Sequence, residues 1–181
     1  NGVPHPVGVI GYDNFGTVFN SLLAEQNISH HGIILDDTRP TTAKTRVIAD
    51  SQHIVRIDKE SKETIGQNIQ NKIFDYVKSI IDNIDGIILQ DYNKGVLSSS
   101  LISQIIELAN INKILVTVDP KFNNFYEYKN VTVFKPNRKE AEDILGMKIK
   151  TDADISFAGS TLLKKLNAKN ILLTLGEGGI A

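Results

Sequence analysis

Short, β-branched and almost unbroken apolar runs recur at residues 7–10, 33–35, 84–90, 114–119, 131–134 and 171–175. Runs of this form are expected of strands buried on both faces of a parallel sheet. Between them the apolar spacing changes to that of a helix. Over 65–81, Ile65, Ile69, Ile73, Val77 and Ile80 fall along one stripe; over 99–110, Leu101, Ile102, Ile105, Ile106 and Leu108 do the same, with serines 98 to 100 as N-cap candidates. Residues 138–145 and 154–166 carry further helical patterns. Such alternation predicts an α/β fold with right-handed crossovers and a mostly parallel sheet flanked by helices.

One stretch breaks the alternation. TTAKTRVIADSQHIVRIDKE, starting at Thr41, holds two β-rich runs, 41–49 and 53–57, joined by Asp50-Ser51-Gln52. It predicts an antiparallel hairpin over 41–59, inserted into an otherwise parallel chain. A hairpin cannot bury both of its faces by itself, so it is expected to project and cover a ligand or another subunit; a surface ornament is the plainer reading.

Composition narrows the partners. At 41% hydrophobic and 23% charged, the 181 residues suffice for a folded core. The 20 basic and 21 acidic residues nearly balance and form no basic run, so neither nucleic acid nor a membrane surface has electrostatic support. No apolar run reaches the roughly 20 residues of a membrane span. Without cysteine there are no disulfides, thiolate metal sites or cysteine nucleophiles, which suits a reducing, cytoplasmic setting. The four histidines show no metal-ligand spacing.

Four polar clusters follow apolar strands, where open α/β sheets bind ligands. In Gln90-Asp91-Tyr92-Asn93-Lys94-Gly95, Asp91 suits sugar hydroxyls and Lys94 an anion; an Asx turn with Gly95 at positive φ explains the same residues apart from Lys94. In Val118-Asp119-Pro120-Lys121 the proline stiffens the turn, so Lys121 is held where a phosphate would suit it, or is simply a solvated turn lysine. In the third, Asn137 and Glu140 have capping-box spacing. The same pair could face a magnesium-bound phosphate through water, since Mg²⁺ retains several waters. The last, Thr174-Leu175-Gly176-Glu177-Gly178-Gly179, is a glycine loop that could approach a phosphate, with no following strand expected to hold it.

Taken in order, the segments GVIGYDNFG, the basic hairpin, QDYNKG, VDPK, KPNRKEAE and TLGEGG resemble the PfkB/ribokinase family of carbohydrate kinases over essentially the whole chain. The resemblance implies a ribokinase-like (Rossmann-like) fold with the hairpin as a β lid. Arg46, Arg56 and Asp58 on the hairpin, followed by DYNKGVLS and DPK, look most like the members acting on a heptose 7-phosphate. What this implies is ATP-dependent, magnesium-assisted phosphorylation of D-glycero-β-D-manno-heptose 7-phosphate at its anomeric hydroxyl, giving the 1,7-bisphosphate of ADP-heptose and lipopolysaccharide precursor synthesis. A family member acting on another sugar or a nucleoside, and a noncatalytic nucleotide- or sugar-phosphate-binding or dimerisation module, are the alternatives.

By the same resemblance, Asp91 and Lys94 line the sugar and Arg46 and Arg56 reach its 7-phosphate, the guanidinium fork matching phosphate oxygens. Lys121 lies near a phosphate. Asn137, Glu140, Thr174, Gly176 and Gly179 serve Mg·ATP, with Glu140 reaching the metal through water. Two motifs of the family do not occur, an N-terminal sugar-binding strand and a GAGD-like segment carrying the catalytic Asp. The chain is therefore expected to be an incomplete, inactive kinase domain whose catalytic Asp lies beyond Ala181. The apolar face of the hairpin is expected to make a homodimer.

Overall fold

In the computed structural model, residues 2–49 and 52–181 are described. The Asp50-Ser51 part of the expected hairpin turn lies outside them. The chain divides into two compact units, one holding residues through Val77 together with Lys94–Val96, the other Lys78–Asn93 and Leu97–Ala181.

The first unit begins with β1 (Gly8–Ile10), α1 (Asn14–Glu25) and β2 (Ile33–Leu35), β1 and β2 pairing in parallel. The hairpin follows as β3 (Ala43–Ala49) and β4 (Gln52–Lys59), antiparallel, with a register shift between Val47 and Ile48. Then comes α2 (Gln67–Ile80), which buries Ile69, Ile73 and Val77 as its stripe requires. Helix α1 was not legible in the sequence. Asn14, Phe15, Gly16, Thr17 and Val18 are poor helix formers, but Asp13 caps the helix by accepting from Gly16 N–H at 3.0 Å.

The second unit is a four-stranded parallel ladder in the order β5 (Gly86–Gln90), β6 (Leu115–Asp119), β7 (Val133–Phe134), β8 (Asn170–Ile171). Helices α3 (Ser99–Ile111), α4 (Arg138–Leu145) and α5 (Asp152–Leu166) flank it. Ser98 caps α3, and Leu101, Ile102, Ile105 and Ile106 are buried along its inner face. Each such side chain contributes about 1.5–3 kcal/mol of transfer free energy. A capping box of Thr151 and Asp154 starts α5 two residues earlier than the apolar pattern suggests.

One burial expectation is corrected. Ile88 is 75% and Leu115 55% exposed, because they lie on one face of the β5–β6 pair while the buried Leu89, Val116 and Val118 lie on the other, so these strands are covered chiefly on one face. Another concerns the glycine loop. The chain does return behind it: Leu173 and Ala181 exchange backbone hydrogen bonds at 2.7 and 3.0 Å, and Leu175 N–H donates to Gly179 O at 2.8 Å. Among the described residues no helix is long and apolar enough to cross a membrane.

Candidate functional site

In the second unit the polar clusters gather at the carboxyl edge of the ladder. Asp91 follows β5 and is almost fully buried. Its Oδ1 accepts from Asn93 N–H at 2.7 Å, the Asx turn, while Oδ2 accepts from Tyr128 OH at 2.8 Å and Asn124 Nδ2 at 3.0 Å. Burial, with the Asp91 carboxylate as second cause, pushes the Tyr128 hydroxyl far up, so it remains a donor. Asp91 is thus a fixed acceptor that shapes the loop after β5. Neither Tyr128 nor Asn124 was singled out in the sequence, since both lie more than thirty residues away.

Lys121, at the end of the Asp119-Pro120 turn after β6, forms an ion pair with Glu140. The Glu140 hydrogen bond raises the Lys121 pKa, so its ammonium is charged throughout the physiological range. Glu140 also closes the expected capping box. Its Oε2 accepts from Asn137 N–H and Asn137 Oδ1 accepts from Glu140 N–H, both at 2.9 Å. One partly buried carboxylate therefore holds both a helix start and a lysine. Next to it, Asn137 bridges to Thr174, whose carbonyl accepts from Arg138 N–H at 2.8 Å. The loop after Thr174 is a 3₁₀ turn, Gly176–Gly178, with Gly176 and Gly179 at φ of 65° and 82°. Lys121, Asn137, Glu140, Thr174, Gly176 and Gly179 thus share one edge.

Arg46, Arg56 and Lys94 belong to the first unit. Arg46 stands directly opposite Arg56 in the hairpin ladder, as Lys44 does to Asp58. Directly paired residues share a face, so these four side chains lie together, and Arg56 is paired to Asp58 at 3.1 Å. Thr45, Val47, Val55 and Ile57 take the other face, with the last three 42%, 47% and 57% exposed. Below the arginines, Glu60 pairs with Lys94, and its other oxygen has Lys44 Nζ 3.9 Å away without a hydrogen bond. Lys94 is therefore held, not swinging. Arg39 Nη2 fixes the same loop by donating to Lys94 O at 2.6 Å and to Ser61 O at 3.1 Å. Gly95 takes φ 73°, and a Cβ there would collide with the Glu63 carbonyl. Lys44 and Glu60 are additions that the sequence did not suggest; the alternation of Lys44 with Arg46 was the available signal for the first.

A parallel ladder thus presents lysine, a carboxylate, a helix start and a glycine turn along one edge, and the chain belongs to the pfkB family of carbohydrate kinases, which it matches over residues 4–181. Among similar proteins, the bifunctional protein HldE of Helicobacter pylori is 41% identical over 174 residues, which is 96% of this chain and 38% of that protein. The bifunctional protein HldE of Geobacter sulfurreducens is 38% identical over 173 residues, 96% of this chain and 35% of that protein. The chain thus spans little more than a third of the length of these relatives. Of solved structures, ribokinase from Giardia lamblia superposes with a TM-score of 0.75 at 18% identity, covering 96% of this chain and 57% of that one. Arabidopsis thaliana ribokinase complexed with ribose and ATP gives 0.70 at 19%, covering 97% and 56%. The likeness to these two is one of fold, which is ribokinase-like.

Proposed function

We propose that this chain supplies the sugar-phosphate and nucleotide-phosphate surfaces of an ATP-dependent sugar kinase. The reaction moves the γ-phosphoryl group of ATP to the anomeric hydroxyl of a sugar phosphate. D-glycero-β-D-manno-heptose 7-phosphate is the proposed substrate and the 1,7-bisphosphate the product, made in the cytoplasm for ADP-heptose and lipopolysaccharide precursors. The observation that carries this reading is the direct opposition of Arg46 and Arg56 on an exposed hairpin face. Like charges directly opposite destabilise a ladder, so their pairing suits a dianion that satisfies both forks. A sugar without a phosphate, or a nucleoside, presents no dianion to this pair and leaves Arg56 with Asp58 as its counter-ion.

In this reading Lys94 borders the sugar, Asp91 shapes the loop that follows β5, and Lys121 faces a phosphate while Glu140 holds it in place. Asn137, Thr174, Gly176 and Gly179 line the ATP phosphates. The Glu140 carboxylate already accepts on both oxygens, from Asn137 N–H and from Lys121, so it fits Mg²⁺ through water and not as a direct ligand. The chemistry that Mg²⁺ supplies when bound is neutralisation of charge on the transferring group. Val47, Val55 and Ile57 on the other hairpin face are proposed to meet a second copy about a two-fold axis. The test is turnover by the full-length protein on sugars with and without a terminal phosphate. Phosphorylation of the heptose 7-phosphate in preference to the free heptose supports the reading, and equal rates on both contradict it.

A further inference from the structure

The hairpin is gripped at both of its roots by a single carboxylate. Asp13 uses Oδ1 to cap α1. Its Oδ2 accepts from Thr41 N–H at 3.1 Å, two residues before β3, and pairs with Lys59 Nζ at 3.3 Å, on the last residue of β4. Thr41 is itself locked: it is 6% exposed, and its Oγ1 accepts from Gly11 N–H at 2.9 Å. A Cβ on Gly11 would collide with the Arg39 carbonyl and the Thr41 nitrogen, so the glycine is what admits this strand. The Lys59 ammonium also lies 5.7 Å from the centre of the Phe15 ring in the first turn of α1. Hydrogen bonds from Thr41 and then from Gly16 hold the Asp13 carboxyl well below the usual range, so it is ionised at any physiological pH.

A helix cap needs only one oxygen. The second joins the chain entering β3 to the chain leaving β4. A two-stranded hairpin is marginal on its own, so its direction is set by what holds its base. Lys59 also lies on the Val55–Ile57 side of the ladder, so the grip leaves the arginine face clear.

We propose that Asp13 is a positioning residue that fixes where the hairpin points, and through it where Arg46 and Arg56 stand, without touching substrate. The consequence for turnover rests on the function proposed above; the mechanical role does not. Asp13→Asn separates the two uses of the side chain, since the amide oxygen can still cap α1 while the amide nitrogen faces the Thr41 N–H and the Lys59 ammonium as a repelling donor. Lys59→Met removes the ion pair and the ammonium's contact with the Phe15 ring, and leaves both Asp13 hydrogen bonds to backbone N–H groups in place.

The experiment is hydrogen exchange on the full-length protein, followed by sugar kinetics. Asp13→Asn should speed exchange across β3 and β4 by about tenfold while changing α1 by less than about twofold. Lys59→Met should act in the same direction, and the double variant should add little to Asp13→Asn because the two residues share one contact. The apparent KM for the sugar phosphate should rise about tenfold with kcat nearly unchanged, the pattern of lost binding without lost chemistry. Wild-type exchange in the hairpin of both variants, or equal acceleration of α1 and the hairpin, would overturn the proposal. If Asp13→Asn fails to fold, Lys59→Met alone decides. Should the wild type phosphorylate no sugar phosphate, the functional reading fails, and the exchange result still decides the role of Asp13.

Discussion

Arg46 and Arg56 face one another directly across the hairpin ladder, and Asp58 is paired to the second of them at 3.1 Å. Two exposed guanidinium groups at cross-strand spacing repel in the free protein. Arg46→Ala should therefore leave thermal stability unchanged or slightly raised, by no more than about 0.5 kcal/mol. The same change should raise the apparent KM for the sugar phosphate by about ten- to a hundredfold, the loss of a charge-assisted fork. A stability loss with unchanged KM would mean the pair is structural.

Glu140 has two jobs that can be separated. Glu140→Gln keeps a capping-box residue at the third helical position but removes the charge beside Lys121. It should cost less stability than Glu140→Ala, which loses the box and about 1 kcal/mol. On the proposed function the Gln variant should also weaken the Mg²⁺ dependence of turnover. An unchanged magnesium response together with a lowered melting temperature would assign Glu140 to the cap alone.

Tyr128→Phe tests the buried Asp91. Removing the hydroxyl takes away one of two donors to Oδ2, on a carboxylate with almost no solvent access. Urea unfolding should show a loss of about 1–3 kcal/mol. An unshifted midpoint would mean that the Asn124 contact satisfies Asp91 by itself.

Acid stability follows from carboxylates held below their ordinary range. Glu60 is lowered chiefly by its Lys94 hydrogen bond, Glu142 by Ile149 N–H, and Asp154 by Lys150 and Thr151 N–H. A group depressed in the folded state contributes above its unfolded pKa and loses that contribution as pH falls through the folded value. The melting temperature should thus hold between about pH 7 and 5 and fall below about pH 4. Lys121 is shifted upward, so its contribution is complete below the ordinary lysine value, about 10.4, and is lost at higher pH. Melts that weaken between pH 7 and 5 would contradict these assignments.

Much of this arrangement was legible because it is local. The Asn137–Glu140 box, the Ser98 cap, the α2 and α3 stripes and the hairpin alternation all lie within a few residues of their causes. What was not legible is long-range. Glu60 finds Lys94 across 34 residues and Asp91 finds Tyr128 across 37, and no periodicity encodes either meeting. Helix α1 was hidden for another reason. Its Phe15, Val18 and Leu22 stay about half exposed, so neither propensity nor a buried stripe announces it, and only Asp13 marks its start.

The most direct test of the central claim is phosphorus NMR of the full-length protein incubated with Mg·ATP and D-glycero-β-D-manno-heptose 7-phosphate. The account predicts a new anomeric phosphate resonance appearing with stoichiometric ADP, and its near disappearance in the Arg46→Ala, Arg56→Ala double variant at limiting sugar. ADP release without an anomeric phosphate, or full turnover in the double variant, would contradict it.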